Sequence, residues 1–341
     1  MKAIGYQHSL PIDDKKALEN IELEIPKAKG HDILVEVKAV SVNPVDYKIR
    51  HRVSPENGEY KVLGWDSAGI VKEVGDKVSK FKVGDKVFYA GDLTRSGSNA
   101  EFQLVDERIV GKMPESLNFP EAAALPLTSI TAWEMLFDRL QIPTDEKGNT
   151  KKVLVIGAAG GVGSIMVQLL RARTGATIIG TASREESVKW LEELGAHHII
   201  SHRKPLLEGL QTIGIPEVDY VVSLNNTEDH YEEIIKILAP QGHFGLIDDP
   251  TQLDIMPLKL KCISVHWELM FTRSMFQTSD MVEQHNLLNE IANLIDQGKI
   301  KTTLAHQLGT INAENLIKAH SMLESQQAHG KIVLEGFLNT Q

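Results

Sequence analysis

Residues Leu154–Glu186 read LVIGAAGGVGSIMVQLLRARTGATIIGTASREE, and their reading decides the fold. The apolar, β-branched run KKVLVI leads into a cluster of glycines, and VGSIMVQLLRAR then carries the spacing of a helix. Ala158, Gly160 and Gly163 stand at the G-x-G-x-x-G spacing with alanine in the first place, while Gly157, Gly160 and Gly163 give a second three-residue spacing. Small residues let a strand-to-helix turn approach a pyrophosphate, whose charge the free N–H groups of the helix start can bind. Strand, turn and helix in that order make a dinucleotide site the expectation. A glycine turn used only for packing is the alternative.

The second strand reads TIIGTASREES through its end, which Ser183 and Arg184 occupy. A carboxylate in that place would hold the ribose hydroxyls of NAD. Serine can instead donate a hydrogen bond to a 2′-phosphate and arginine can neutralise it, which favours NADPH over NADH. The alternative is a solvated helix start followed by Glu185 and Glu186. His202 and Arg203, after the next strand, offer a further adenosine-side contact.

Outward from this unit, apolar strands alternate with helix-like segments: HHIIS, PLLEGLQTIG, VDYVVSLN, YEEIIKILA and HFGLID. That alternation predicts a parallel sheet covered on both faces. The first third differs. ILVEVKAVSV, AGIVKEVG, KVGDKVFYAG and AEFQLVDERIV are short alternating runs punctuated by Gly and Asp, which predict a compact β domain. After Cys262, ISVHWELMF closes another sheet or lines a pocket, and helices are expected at MVEQHNLLNEIANLIDQG and AENLIKAHSMLESQ. The last strand, GKIVLEG, can return to the N-terminal domain. The expected α/β organisation is 1–124 with 265–341 as one domain and 125–264 as the other.

Thirty-six Lys and Arg against 46 Asp and Glu give a formal charge of -10, which opposes nonspecific attraction to nucleic acid or anionic membranes. No stretch is long and apolar enough for a membrane span and no apolar signal segment opens the chain, so the expected location is cytoplasmic. One cysteine, Cys262, forbids an intrachain disulfide and a four-thiolate zinc knot, and is expected to pack as a buried small residue.

Together with SVNPVDYKIR, LGWDSAGIVKEVG and LPLTSITAWEML, these residues resemble the medium-chain dehydrogenase/reductase family over nearly the whole chain. The resemblance is to its zinc-independent NADPH:quinone oxidoreductase branch, and also to the zinc-type alcohol dehydrogenase-like group. It implies a GroES-like catalytic domain, a Rossmann cofactor domain and a homodimer. It places Gly160, Gly161 and Val162 at the pyrophosphate turn and Ser183 on the NADP side. Ser187 stands where the family has a lysine, and His202 where it has a tyrosine. Thr128 is a candidate cofactor contact, and the backbone of Phe244, Gly245 and Leu246 a candidate bracket for the nicotinamide. Of the zinc positions, Asn43 takes the first ligand's place and Trp65 that of the histidine, so no catalytic zinc is expected; Asp46 and Asp66 are read as polar pocket or turn residues.

By the same analogy Asn43, Asp46 and Tyr47 form the candidate catalytic cluster. Asn43 would orient substrate or cofactor, Asp46 fix a hydrogen-bond network, and Tyr47 bind a carbonyl or donate a proton. Each has a structural alternative: Asn43 as a helix cap, Asp46 in the first helical turn, Tyr47 as a wall with a wet hydroxyl. Trp267, Phe271 and Met275 suit an apolar substrate wall or a core, with Arg273 a possible contact. The function implied is NADPH-dependent, zinc-free hydride transfer to a small quinone or α,β-unsaturated carbonyl. Zinc-dependent alcohol oxidation and a non-enzymatic NADPH-binding sensor or structural protein are the alternatives.

Overall fold

The computed structural model describes residues 1–56, 58–145, 150–325 and 330–337. Two compact units divide the chain, Met1–Ile130 with Phe271–Gln341, and Thr131–Met270. The first unit begins with β1 (Lys2–Tyr6), β2 (Glu19–Glu22), β3 (Asp32–Val42), α1 (Pro44–Arg52), β4 (Lys61–Val62) and β5 (Ser67–Val74). There follow β6 (Lys86–Tyr89), β7 (Phe102–Asp106), β8 (Val110–Lys112), α2 (Phe119–Ala123) and α3 (Pro126–Trp133), whose last residues belong to the second unit. On β3 Ile33 to Val35 are buried, the alternation shows from Val35 to Lys38, where Val35 and Val37 are buried and Glu36 and Lys38 half-exposed, and from Ala39 to Val42 the strand is covered on both faces. Pro44, with its fixed φ, starts α1, and Arg50, His51 and Arg52 in its last turn suit the negative end of the helix dipole.

The second unit carries β9 (Lys152–Ile156), α4 (Gly161–Arg173), β10 (Thr177–Thr181), α5 (Glu185–Leu194), β11 (His198–Ile200) and α6 (Leu206–Thr212). It continues through β12 (Val218–Ser223), α7 (Thr227–Ile237), β13 (Leu238–Leu246) and β14 (Ser264–Trp267). These six strands pair in parallel in the order β11-β10-β9-β12-β13-β14. Counted from β9 this is 3-2-1-4-5-6, the doubly wound order, in which ligands bind beyond the carboxyl ends of the strands where the order reverses, here between β9 and β12. Leu154, Ile156, Val221, Phe244 and Leu246 form the middle of the core.

Two boundaries differ from the sequence pattern. Helix α7 starts at Thr227 rather than at Tyr231, because the Asp248 carboxylate accepts the Thr227 N–H at 2.9 Å and so caps the earlier turn. Strand β13 starts at Leu238, ahead of HFGLID, and its register against β12 slips between Val218 and Tyr220 to absorb the extra residues.

The chain then supplies α8 (Thr272–Met275), α9 (Glu283–Asp296), β15 (Leu304–Gln307), α10 (Ala313–Glu324) and β16 (Lys331–Glu335) to the first unit. Gln326, at the end of the helical signal for α10, lies outside the described residues. Strand β16 pairs antiparallel with β3, Ile332 opposite Val42, inside a sheet of order β15-β16-β3-β5-β6-β8 in which β7 also pairs with β3. Cys262 is exposed, contrary to the expectation of burial: it ends the 3-10 turn Met256–Lys261 at φ +51, its N–H donating to Lys259 O. No helix among the described residues is long and apolar enough to cross a membrane.

Candidate functional site

The turn after β9 is built by its glycines. Gly157 has φ +78 and donates its N–H to Thr181 Oγ1 at 3.1 Å, tying the turn to the end of β10. Gly160, in extended conformation, is the N-cap of α4. A Cβ on Gly163 would lie 2.4 Å from Ala158 O, so only glycine lets the helix seat this close to the turn. Gly161 and Val162 form the first turn of α4, where N–H groups lack intrahelical acceptors and the dipole is positive. The cradle fits a pyrophosphate just past the carboxyl end of the central strand.

Ser183 follows β10, and its Oγ lies 3.2 Å from His202 Nε2, beyond β11. Arg184 is the exposed N-cap of α5. Burial holds His202 below the usual imidazole pKa, and the neighbouring charges of His230, Arg203 and Arg184 push in the same direction. The imidazole that meets the Ser183 hydroxyl thus lies within the charge of Arg203 and Arg184.

On β13 the Phe244 and Leu246 side chains are core residues, which leaves their backbone as the part able to face a ligand. Gly245 admits the π-helical turn Glu134–Arg139, since a Cβ there would sit 2.5 Å from Met135 Sδ. Beside this turn is a feature that sequence reasoning missed. Glu134 and Glu268 are both buried, and Arg139 donates from Nε to Glu268 Oε2 at 2.7 Å with its Nη2 3.5 Å from Glu134 Oε2. Burial, and then the neighbouring Glu134 charge, push the Glu268 carboxyl up to about 9 against the pull of Arg139. The signal was present: both glutamates sit inside apolar runs, WEMLF and WELMF, where a carboxylate needs a buried partner.

In the first unit Asn43, Asp46 and Asp66 come together. Asp46 Oδ2 accepts the Asn43 N–H at 2.7 Å, the reciprocal half of a capping box at the start of α1. The Asn43 amide donates to Asp66 Oδ2 at 3.1 Å and to Ser41 O at 3.4 Å. Asp66 Oδ1 accepts the Leu127 N–H at 3.1 Å. A fourth member, Lys331, also escaped notice; its ammonium lies 2.9 Å from Asp66 Oδ2 and donates to Asn43 Oδ1. Burial raises the Asp46 carboxyl to about 7 despite the Asn43 N–H and the Lys331 charge, and raises Asp66 as well, opposed chiefly by Lys331.

Tyr47, next on α1, is half-buried with its ring 6.0 Å from that of His51. Thr128 is buried and donates to Leu125 O at 3.1 Å. Of the apolar residues expected there, Trp267, which ends β14, is exposed in the second unit, and Phe271 is buried in the first against Trp65, ring centroids 6.4 Å apart. Arg273 is paired with Asp280 at 3.0 Å, and Met275 is exposed.

Residues 194–334 match the family model described as zinc-binding dehydrogenase, and residues 29–128 that of the alcohol dehydrogenase GroES-like domain. The chain is 38% identical over 338 residues to a zinc-type alcohol dehydrogenase-like protein of Staphylococcus epidermidis, covering 98% of this chain and 99% of the relative. Among solved structures it resembles a Rhizobium etli protein described as a zinc-dependent alcohol dehydrogenase, with 54% identity, a TM-score of 0.96 and 99% of each chain covered. It also resembles Escherichia coli quinone oxidoreductase complexed with NADPH, at 25% identity and a TM-score of 0.81, with 98% of this chain and 100% of that one covered.

The zinc in three of those descriptions meets a donor set that does not fit it. Asn43 offers an amide already engaged by Lys331 and Asp66. Trp65 has no lone pair to give and donates its indole N–H to Asp92 O at 3.1 Å. Asp66 is neutralised by an ammonium. Among the described residues no group of three or more His, Cys, Asp or Glu side chains is arranged to hold a metal ion. The glycine turn, by contrast, fits a nicotinamide dinucleotide. With a matching relative along its whole length, the chain belongs to the medium-chain dehydrogenase/reductase superfamily of oxidoreductases, in its zinc-type alcohol dehydrogenase-like group.

Proposed function

We propose that this chain is an NADPH-dependent reductase of small quinones or α,β-unsaturated carbonyls that works without catalytic zinc. The observation that carries the reading is the Lys331–Asp66 ion pair beside Trp65: an engaged amide and an indole stand at the positions of zinc donors, and the neighbouring carboxylate is neutralised by an ammonium. A conjugated acceptor suits such a site, because its own oxygen draws charge from the carbon under attack. NADPH, when bound, supplies the hydride.

The residues of the chain bind and orient. The N–H groups of Gly160, Gly161 and Val162 hold the pyrophosphate, while Ser183, Arg184 and His202 hold the 2′-phosphate. The backbone of Phe244, Gly245 and Leu246 flanks the nicotinamide. Asn43 and Asp46 fix the first turn of α1, and Tyr47, carried on that helix, donates a proton to the substrate oxygen. The NADPH complex of the Escherichia coli quinone oxidoreductase supports the cofactor choice. The lone exposed thiol of Cys262 suits a reducing compartment such as the cytoplasm.

We also propose a homodimer. Strand β14 ends its sheet with an open edge, and Trp267 and Leu269 beside it are exposed at 56% and 53%. Light scattering across a dilution series is expected to give twice the chain mass; a monomer at every concentration contradicts it. The catalytic reading is tested by NADPH oxidation with a panel of small quinones and enones. Turnover with at least one acceptor is expected, and Tyr47→Phe is expected to lower kcat without weakening NADPH binding. Tight NADPH binding without turnover on any acceptor overturns the reading.

A further inference from the structure

Lys331 opens β16 and is buried, as is Asp66. A lysine ammonium has three N–H donors and no acceptor. Here all three are used: one on Asp66 Oδ2 at 2.9 Å, one on Val42 O at 3.2 Å and one on Asn43 Oδ1. The two Asp66 oxygens in turn accept from Leu127 N, from the Asn43 amide and from Lys331. The end of β3, the start of α1, the Asp66 turn, the first turn of α3 and β16 therefore converge on one ion pair. Asp46 also feels the charges of Lys331 and Asp66.

An ionised carboxylate in this buried cluster requires a cation, since an unpaired charge out of water costs far more than the pair. A divalent ion is one solution, but among the described residues no set of donors is arranged for it. We infer that Lys331 is the resident cation of this cluster and its positioning residue, holding the Asn43 amide and the Asp66 carboxylate through an ammonium site built for a primary amine. Its three acceptors are set for N–H donors on one small cation, which distinguishes the site from a general acidic patch. Truncation of the side chain then leaves a cavity with selectivity for primary alkylammonium ions.

The test uses the full chain as Lys331→Ala, with propylammonium, which replaces the atoms removed, against tetramethylammonium, which carries the charge without N–H donors. The melting temperature of the variant is expected to fall by roughly 6 to 10 °C and to recover by at least half with propylammonium alone. Wild type is expected to respond to neither. The kcat for the reduction is expected to fall about tenfold to a hundredfold at constant KM for NADPH, and to return with propylammonium. That activity readout rests on the proposed hydride transfer, whereas the melting readout does not, so failure of the two ideas can be told apart. A variant as stable as wild type, or one that responds equally to both ammonium ions, overturns the inference. Should Lys331→Ala not fold, the neutral double variant Lys331→Met/Asp66→Asn is expected to fold and to melt above Lys331→Met; a double variant no more stable than the single one overturns the inference equally.

Discussion

The Ser183 hydroxyl lies 3.2 Å from His202 Nε2, joining the ends of β10 and β11 where charges from Arg184 and Arg203 also act. Two strand ends that are neighbours in the sheet thus bring a hydroxyl and an imidazole together under the influence of guanidinium charge. A 2′-phosphate needs those groups and a ribose hydroxyl does not.

Arg184→Ala is therefore expected to weaken NADPH binding by roughly 1.5 to 3 kcal/mol while leaving NADH nearly unaffected. Ser183→Ala is expected to have the smaller effect, having removed directionality without charge. Titrations at matched ionic strength check this. Equal losses for both cofactors reject the phosphate role of Arg184.

Gly163→Ala and Gly160→Ala separate packing from ligand approach. A Cβ on Gly163 would meet backbone atoms of Ala158 at 2.4 and 2.5 Å, so the helix must move, and a stability loss of roughly 1 to 3 kcal/mol is expected. At Gly160 the nearest atom is Gly157 O at 3.4 Å and φ is -74°, so the fold is expected to tolerate alanine while affinity for both dinucleotides falls. Denaturant melts and cofactor titrations of the two variants check the contrast. A Gly163→Ala protein as stable as wild type removes the packing argument.

Stability is expected to fall with rising pH through the Glu268 carboxyl. Its folded-state pKa, about 9, is above the ordinary 4.5, so between those values the folded chain binds more protons than the unfolded one. This contribution is complete below about pH 4.5 and is lost as pH rises through about 9, at no more than roughly 1.4 kcal/mol per pH unit. Glu268→Gln puts an amide N–H beside Glu134 in place of the carboxyl O–H and removes the ionisation. Unfolding curves of the variant are expected to be flatter with pH and to cross above wild type at alkaline pH; parallel profiles for the two proteins contradict this.

Much of the second unit was legible in the sequence because buried parallel strands read as apolar runs such as VLVI and VDYVV, and because a glycine turn between strand and helix has few other uses. The start of α7 was not legible, since its capping carboxylate, Asp248, lies 21 residues away from Thr227. Lys331 was harder still. A lysine heading an apolar strand is ordinary, and the partner that gives it meaning, Asn43, is 288 residues distant. Glu134 and Glu268 were readable as buried charges but not as a pair, because only the π-helical turn and the end of β14 bring them to the same arginine.

Hydride transfer without zinc is tested most directly with NADPH deuterated at the transferable C4 position, a conjugated enone, and protein exhaustively dialysed against chelator. The account predicts deuterium on the electrophilic carbon of the reduced product, at a rate that chelation does not change and added zinc does not raise. Deuterium absent from the product, or a rate lost on chelation and restored by zinc, would contradict it.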